Sequence, residues 1–127
     1  MSDRPQVDHV ATLLDAALAL RRDAAFTRRI LHEQFDAADP LQDVVERIRL
    51  AGVLESAATL PAVQRDAALG ATVTVPDLLL LERLVRGMSA PSLHTDAAEL
   101  TARRDAATSL RGAHALIQAI RLLAPPT

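Results

Sequence analysis

The stretch LLDAALALRRDAAFTRRILHEQF, residues 13–35, decides the fold class. Leu13, Ala17, Leu20, Ala24, Leu31 and Phe35 fall within one narrow arc at 3.6 residues per turn, and Val10 and Leu14 widen it. Ala, Leu and Arg, which fill most of the stretch, are among the strongest helix formers, while β-branched and aromatic residues are scarce. The spacing predicts one long amphipathic helix from about Val7 to Phe35. It should stop near DAADP, residues 36–40, because Pro40 disfavours helical geometry at Asp39 and suits the first turn of a following helix.

That second helix is expected from Pro40, with Asp39 as N-cap and Leu41, Val44, Val45, Ile48 and Ala51 on one side. Asp43 and Arg47 form an i,i+4 pair for its exposed side. Beyond Gly52 the apolar direction moves to Val53, Leu54, Ala57 and Leu60, which predicts a bend or break before Pro61. A short helix, PAVQRDAAL (61–69), then closes at Gly70 as its C′ residue. ATVTV (71–75) is the one stretch with strand-like alternation. With no partner strand elsewhere in the chain it reads as an extended connector, the alternative being pairing with a second copy across an exposed edge.

TVPD (74–77) has the pattern of a capping box and introduces LLLLERLVRG (78–87), which Gly87 should end. Leu78, Leu79, Leu80 and Leu81 cover most of the helix circumference, so this helix should be buried against neighbours or against a partner molecule. These four leucines are the expected interface. Ser92 is the expected cap of the last helix. There Leu93, Leu100, Ala107, His114 and Arg121 form one heptad row and Leu110, Ile117 and Ala124 another, a drift typical of antiparallel bundles. The expected architecture is all-α: two long helices near 7–36 and 92–123 with three shorter ones between them. It occupies a single domain over 1–127, with 1–6 and 124–127 as loose termini.

A chain of 127 residues, half of them hydrophobic, can enclose one modest core. A net charge of −2 supplies no basic footprint for a phosphate backbone, so nucleic acid is not an expected partner. All 14 strong bases are Arg, which reads as GC-rich coding in keeping with a bacterial source and leaves no lysine for a Schiff base or a P-loop. The absence of Cys excludes disulfides and thiolate chemistry. The N-terminal MSDRPQVDHV lacks signal architecture and no apolar run reaches the length of a membrane span, so a cytoplasmic location and no membrane partner are expected.

RRDAA at 21–25 returns as QRDAA at 64–68 and RRDAA at 103–107. Aligning 18–35 with 100–117 sets core Leu31 against Ala113, so the faces do not correspond as a duplication requires. Adjacent Arg and Asp point about 100° apart on a helix, which argues against direct pairing inside the pentad. The three copies are therefore read as solvated, helix-favouring surface, with a shared partner-binding stripe as the alternative.

Arg21 and Arg28 lie one heptad apart at the edge of the first apolar arc, and Arg103 lies on the last helix. If those helices are neighbours, the three guanidiniums and His114 could converge on an anionic metabolite through forked hydrogen bonds. In helix content and arginine number the chain resembles the small all-helical chorismate mutases, although the lysine of that family's site is missing. The blander reading has the arginines snorkelling from stripe edges, Glu99 pairing with Arg103, and His114 as a hydrogen-bonded core histidine. His32 with Asp36, and His94 with Asp96 or Glu99, miss the spacings of zinc and di-metal sites, so no metal or other cofactor is expected. No nucleophile elbow or glycine-rich loop occurs, and residues 41–69 lack a basic recognition helix. The favoured expectation is a non-catalytic interaction or self-association module, adaptor or homo-oligomeric assembly subunit. Its rival is a bundle that binds a small anion at Arg21, Arg28, Arg103 and His114.

Overall fold

A computed structural model describes residues 8–34, 40–91 and 95–123, and the side chains of these except at 30–34, 40 and 41. The chain is all-α. Among the described residues five helices occur and no strand: α1 (His9–Gln34), α2 (Pro40–Ala58), α3 (Ala62–Thr72), α4 (Val75–Ser89) and α5 (Ala97–Leu123). The order of two long and three shorter helices is the one the periodicity implies. The proposed Asp39 and Ser92 caps, the core role of Leu31 and Phe35, and both termini lie outside the described residues.

Local chemistry accounts for the ends. Asp8 caps α1, its Oδ1 accepting from the Ala11 amide at 3.1 Å. Asp96 does the same for α5, accepting from the Glu99 amide at 2.7 Å, so that helix starts four residues later than a Ser92 cap would set it. Helix α4 carries the full capping box: the Asp77 amide donates to Thr74 Oγ1 at 3.4 Å, and the Thr74 amide donates to Asp77 Oδ2 at 2.9 Å. Helix α2 ends in a tight turn, with the Thr59 and Leu60 amides reaching back to the Ser56 and Ala57 carbonyls just before Pro61.

The break expected before Pro61 is present, with α2 ending at Ala58. Two boundaries differ from the reading of the sequence, both for the same reason: α3 runs unbroken through Gly70, and α4 through Gly87 to Ser89. No described glycine takes a positive φ, so none of them acts as a left-handed cap. A mid-helix glycine costs only about 1 kcal/mol relative to alanine, less than the packing of the turns around it supplies. Consequently ATVTV is not an extended connector throughout: Ala71 and Thr72 finish α3, Val75 begins α4, and only Val73 and Thr74 are extended.

Helix α1 packs along α2 and α5, α4 packs on α5, and α3 touches α2 and α5. All five contribute to one buried cluster, including Leu13 and Leu20 from α1, Leu50 and Leu54 from α2, Leu69 from α3, Leu81 from α4, and Leu110 and Ile117 from α5. Buried alanines at 16, 17, 19, 51, 57 and 113 interleave with these larger side chains and allow close helix approach. Polar ties cross the same seams. Arg47 Nε donates to Asp23 Oδ2 at 2.6 Å between α2 and α1, while Arg49 of α2 pairs with the buried Asp77 of α4. Arg47 also donates to the Asp43 carbonyl at 2.9 Å, so the surface carboxylate pairing expected for it gives way to a largely enclosed pair with Asp23.

The repeated pentad meets three environments. Arg21 and Arg22 are exposed on α1, but Arg65 is only 8% exposed, and Arg103 is half-buried. The solvated-surface reading fails for Arg65. Its Nε donates to the neighbouring Asp66 Oδ1 at 3.3 Å, a pairing the 100° offset seemed to forbid. The long, flexible arginine side chain bends back to reach it, with its stem buried in the fold.

Candidate functional site

Leu14, Leu18, Arg21, Ala25 and Arg28 recur at alternating spacings of four and three, which places them along one face of α1. All five are exposed. This row runs beside α2, where Val45 and Ile48 are also exposed. Leu14 and Leu18 of α1 retain 46% and 47% of their surface, and Val45 and Ile48 of α2 retain 55% and 44%.

Between the two helices lies an open groove of about 430 Å³. Ala24, Ala25, Val44 and Ile48 give it apolar walls, and Arg21, Arg28 and Arg29 line it with cations. Arg21 spans the seam in a forked pair with Glu55 of α2, Nη2 to Oε1 at 2.5 Å and Nε to Oε2 at 3.1 Å. That hydrogen bond, helped by the arginine's charge and partly opposed by desolvation, holds the Glu55 carboxyl below its ordinary pKa. The same bond and the Glu55 charge raise the Arg21 guanidinium further still. Among the described residues neither Arg28 nor Arg29 has an ion-pair or hydrogen-bond partner.

Arg21 and Arg28, read from the sequence as two of four converging anion ligands, do share this groove. Arg103 does not: it sits on α5 and donates to the Gly87 carbonyl at 2.7 Å, where it satisfies a backbone acceptor near the end of α4 instead of pairing with Glu99. His114 is half-buried on α5 and does not line the groove either. The buried stripe of α5 runs through Ala107, Leu110, Ala113, Ile117 and Ile120, which places His114 beside that stripe, not at its centre. The sequence reading missed Arg29 and Ile48. Arg29 was signalled by the doubled arginine at 28–29, whereas Ile48 enters only through the register of α2 against α1.

The four leucines of α4 separate. Leu80 and Leu81 are 3% and 0% exposed and belong to the chain's own core, and Leu78 is partly buried against it. Only Leu79 faces outward, in a shallow depression with Pro76, Glu82, Arg83 and Arg86. Arg86 is held there by Glu82 at 2.6 Å. Of the two coverings expected, neighbours or a partner, a neighbour supplies part: α5 packs along α4.

Among the described residues no three His, Asp or Glu side chains converge as a metal site would require. The His32–Asp36 and His94 candidates fall on side chains outside the described set. No described helix is long and apolar enough to cross a membrane. The chain matches no protein-family model, no curated protein and no solved structure.

Proposed function

We propose that this protein is a non-catalytic helical interaction module whose docking surface is the outer face of the α1–α2 pair. The observation that carries the reading is the exposure of Leu14 and Leu18 on α1 and of Val45 and Ile48 on α2, beside a core that is already closed by other residues. An apolar strip flanking a groove between two helices accepts the apolar face of a third helix, from another protein or from a second copy. Single exposed leucines carry no message, but a run of them along one seam does.

The test uses Leu14→Glu/Leu18→Glu, with Arg104→Glu on the exposed part of α5 as control. Light scattering at micromolar concentration follows self-association, and affinity capture from the source cell follows heterologous partners. The double variant should lose an assembly or a specific partner that the control keeps. A wild-type chain that stays monomeric and captures nothing the double variant loses overturns the reading.

A second reading rests on Arg21, Arg28 and Arg29 sharing one groove: a carrier of small anionic metabolites. A thermal-shift panel of dicarboxylates and phosphates, repeated on Arg28→Ala/Arg29→Ala, separates it from the first. Stabilisation by such an anion that the double variant abolishes would favour the carrier.

A further inference from the structure

We infer that the α1–α2 groove is built for an acidic amphipathic helix of a partner protein, with its carboxylates at one end seated on Arg28 and Arg29. The inference rests on the interaction-module reading and adds the partner's chemistry. Its basis is charge. The chain as a whole is net negative, at −2. Yet among the described residues the groove gathers three arginines against the single Glu55 that Arg21 holds, which leaves that set at +2. A cationic groove on a weakly acidic protein selects partners by sign.

The distribution of that charge is uneven. Leu14 and Leu18 occupy one end of the exposed row, the Arg21–Glu55 pair spans the middle, and Arg28 and Arg29 stand at the other end. From Leu14 to Arg28 the row extends about 21 Å, which a partner helix of about 14 residues would cover. Such a helix would place apolar residues at i and i+4 over Leu14 and Leu18. Carboxylates one turn apart near its far end would accept forked bonds from the two guanidiniums.

A second copy of this chain is a poorer occupant. A two-fold contact sets the face against itself, and the acid this face offers back, Glu55, is already engaged by Arg21. A small anion is poorer too, because it would leave the apolar walls wet and would meet the arginines in open water, where isolated ion pairs contribute little.

Two fluorescent peptides of about 16 residues, each locked as a helix by a hydrocarbon staple, test the proposal. Both carry leucines at i and i+4; one ends in a glutamate pair one turn apart, the other in lysines. Fluorescence anisotropy should show the acidic peptide binding about tenfold or more tighter at low salt, with the difference shrinking as salt is raised. On Arg28→Glu/Arg29→Glu the preference should reverse toward the lysine peptide. Both positions are exposed, and circular dichroism verifies that the variant is folded.

Equal binding of both peptides, lost in Leu14→Glu/Leu18→Glu, would overturn the acidic assignment and leave the interaction module standing. If neither peptide binds while the chain dimerises through the leucines, the occupant is a second copy and the proposal fails. If neither binds but inorganic phosphate or succinate raises the melting temperature through Arg28 and Arg29, the groove is a small-anion site and both readings fall. No binding of any probe to a monomeric chain overturns the acidic-helix proposal, and the interaction module then stands or falls on the affinity capture.

Discussion

Asp77 shows how much one side chain can settle. It is 4% exposed and accepts from the Thr74 amide at 2.9 Å, from the Thr74 hydroxyl at 3.0 Å and from Arg49. Replacing it with alanine strands these donors and removes the tie between α2 and α4. Asp77→Ala should therefore lower unfolding free energy by about 2 kcal/mol, and Thr74→Ala by about 1 kcal/mol, in urea titrations. The double variant should cost less than the sum, because the two residues share one network. Glu55 is a gentler case. Its folded pKa lies below the ordinary glutamate value, so its contribution is complete above that ordinary value and fades as pH falls through the depressed one. Both partners are near half-exposed, so solvent and salt keep the effect small. Urea midpoints for Glu55→Gln should fall slightly below wild type at pH 6 and converge with it as pH falls through the depressed value. The i,i+3 spacing of Thr74 and Asp77 made the capping box legible in the sequence. Their meeting with Arg49 was not, since it depends on how α2 and α4 lie together.

At the scale of single helices, the glycines divide by their surroundings. A Cβ on Gly52 would meet no atom within 4 Å, whereas one on Gly112 would lie 3.1 Å from Thr12 Cγ2 across the α1–α5 seam. Thr12 has little freedom to yield, because its hydroxyl donates to the Asp8 carbonyl at 3.0 Å. Gly52→Ala should accordingly stabilise the protein by about 0.5–1 kcal/mol through reduced backbone entropy alone. Gly112→Ala should gain less, and Gly112→Val should lower the melting temperature. Periodicity, proline and cap residues disclosed the existence and order of all five helices. Glycine misled two boundaries, because its usual role as a helix terminator is a local preference that the packing around Gly70 and Gly87 overrides.

Across the whole molecule, the leucines of α4 show what assembly adds. Leu81 has no exposed surface and Leu79 keeps 54% of its own, although the two are separated by one residue in a uniform run. Leu81→Ala should cost about 2–5 kcal/mol by leaving a cavity, and Leu79→Ala less than about 1 kcal/mol, as read from urea midpoints. Equal costs would mean that α4 is packed on both sides in solution, with a partner over Leu79. The same argument covers the groove. Arg21 and Arg28 were recognisable as neighbours from their heptad spacing on one helix. That Ile48 lies beside them while Arg103 turns to Gly87 follows from which helices are adjacent and in what register.

What the chain's order of residues determined was its all-α character, the sequence of five helices, the inward-facing Leu13, Ala17, Leu20 and Ala24 of α1, and the capping of α4. Each of these depends on residues within a turn or two of one another, where helix geometry fixes the distances. Tertiary structure alone decided that Leu80 and Leu81 fill the chain's own core, that Arg65 is buried, and that Arg28 and Arg29 share an apolar groove with Ile48. Those outcomes depend on contacts between residues far apart in sequence, and helix periodicity carries no record of which neighbour covers a given face.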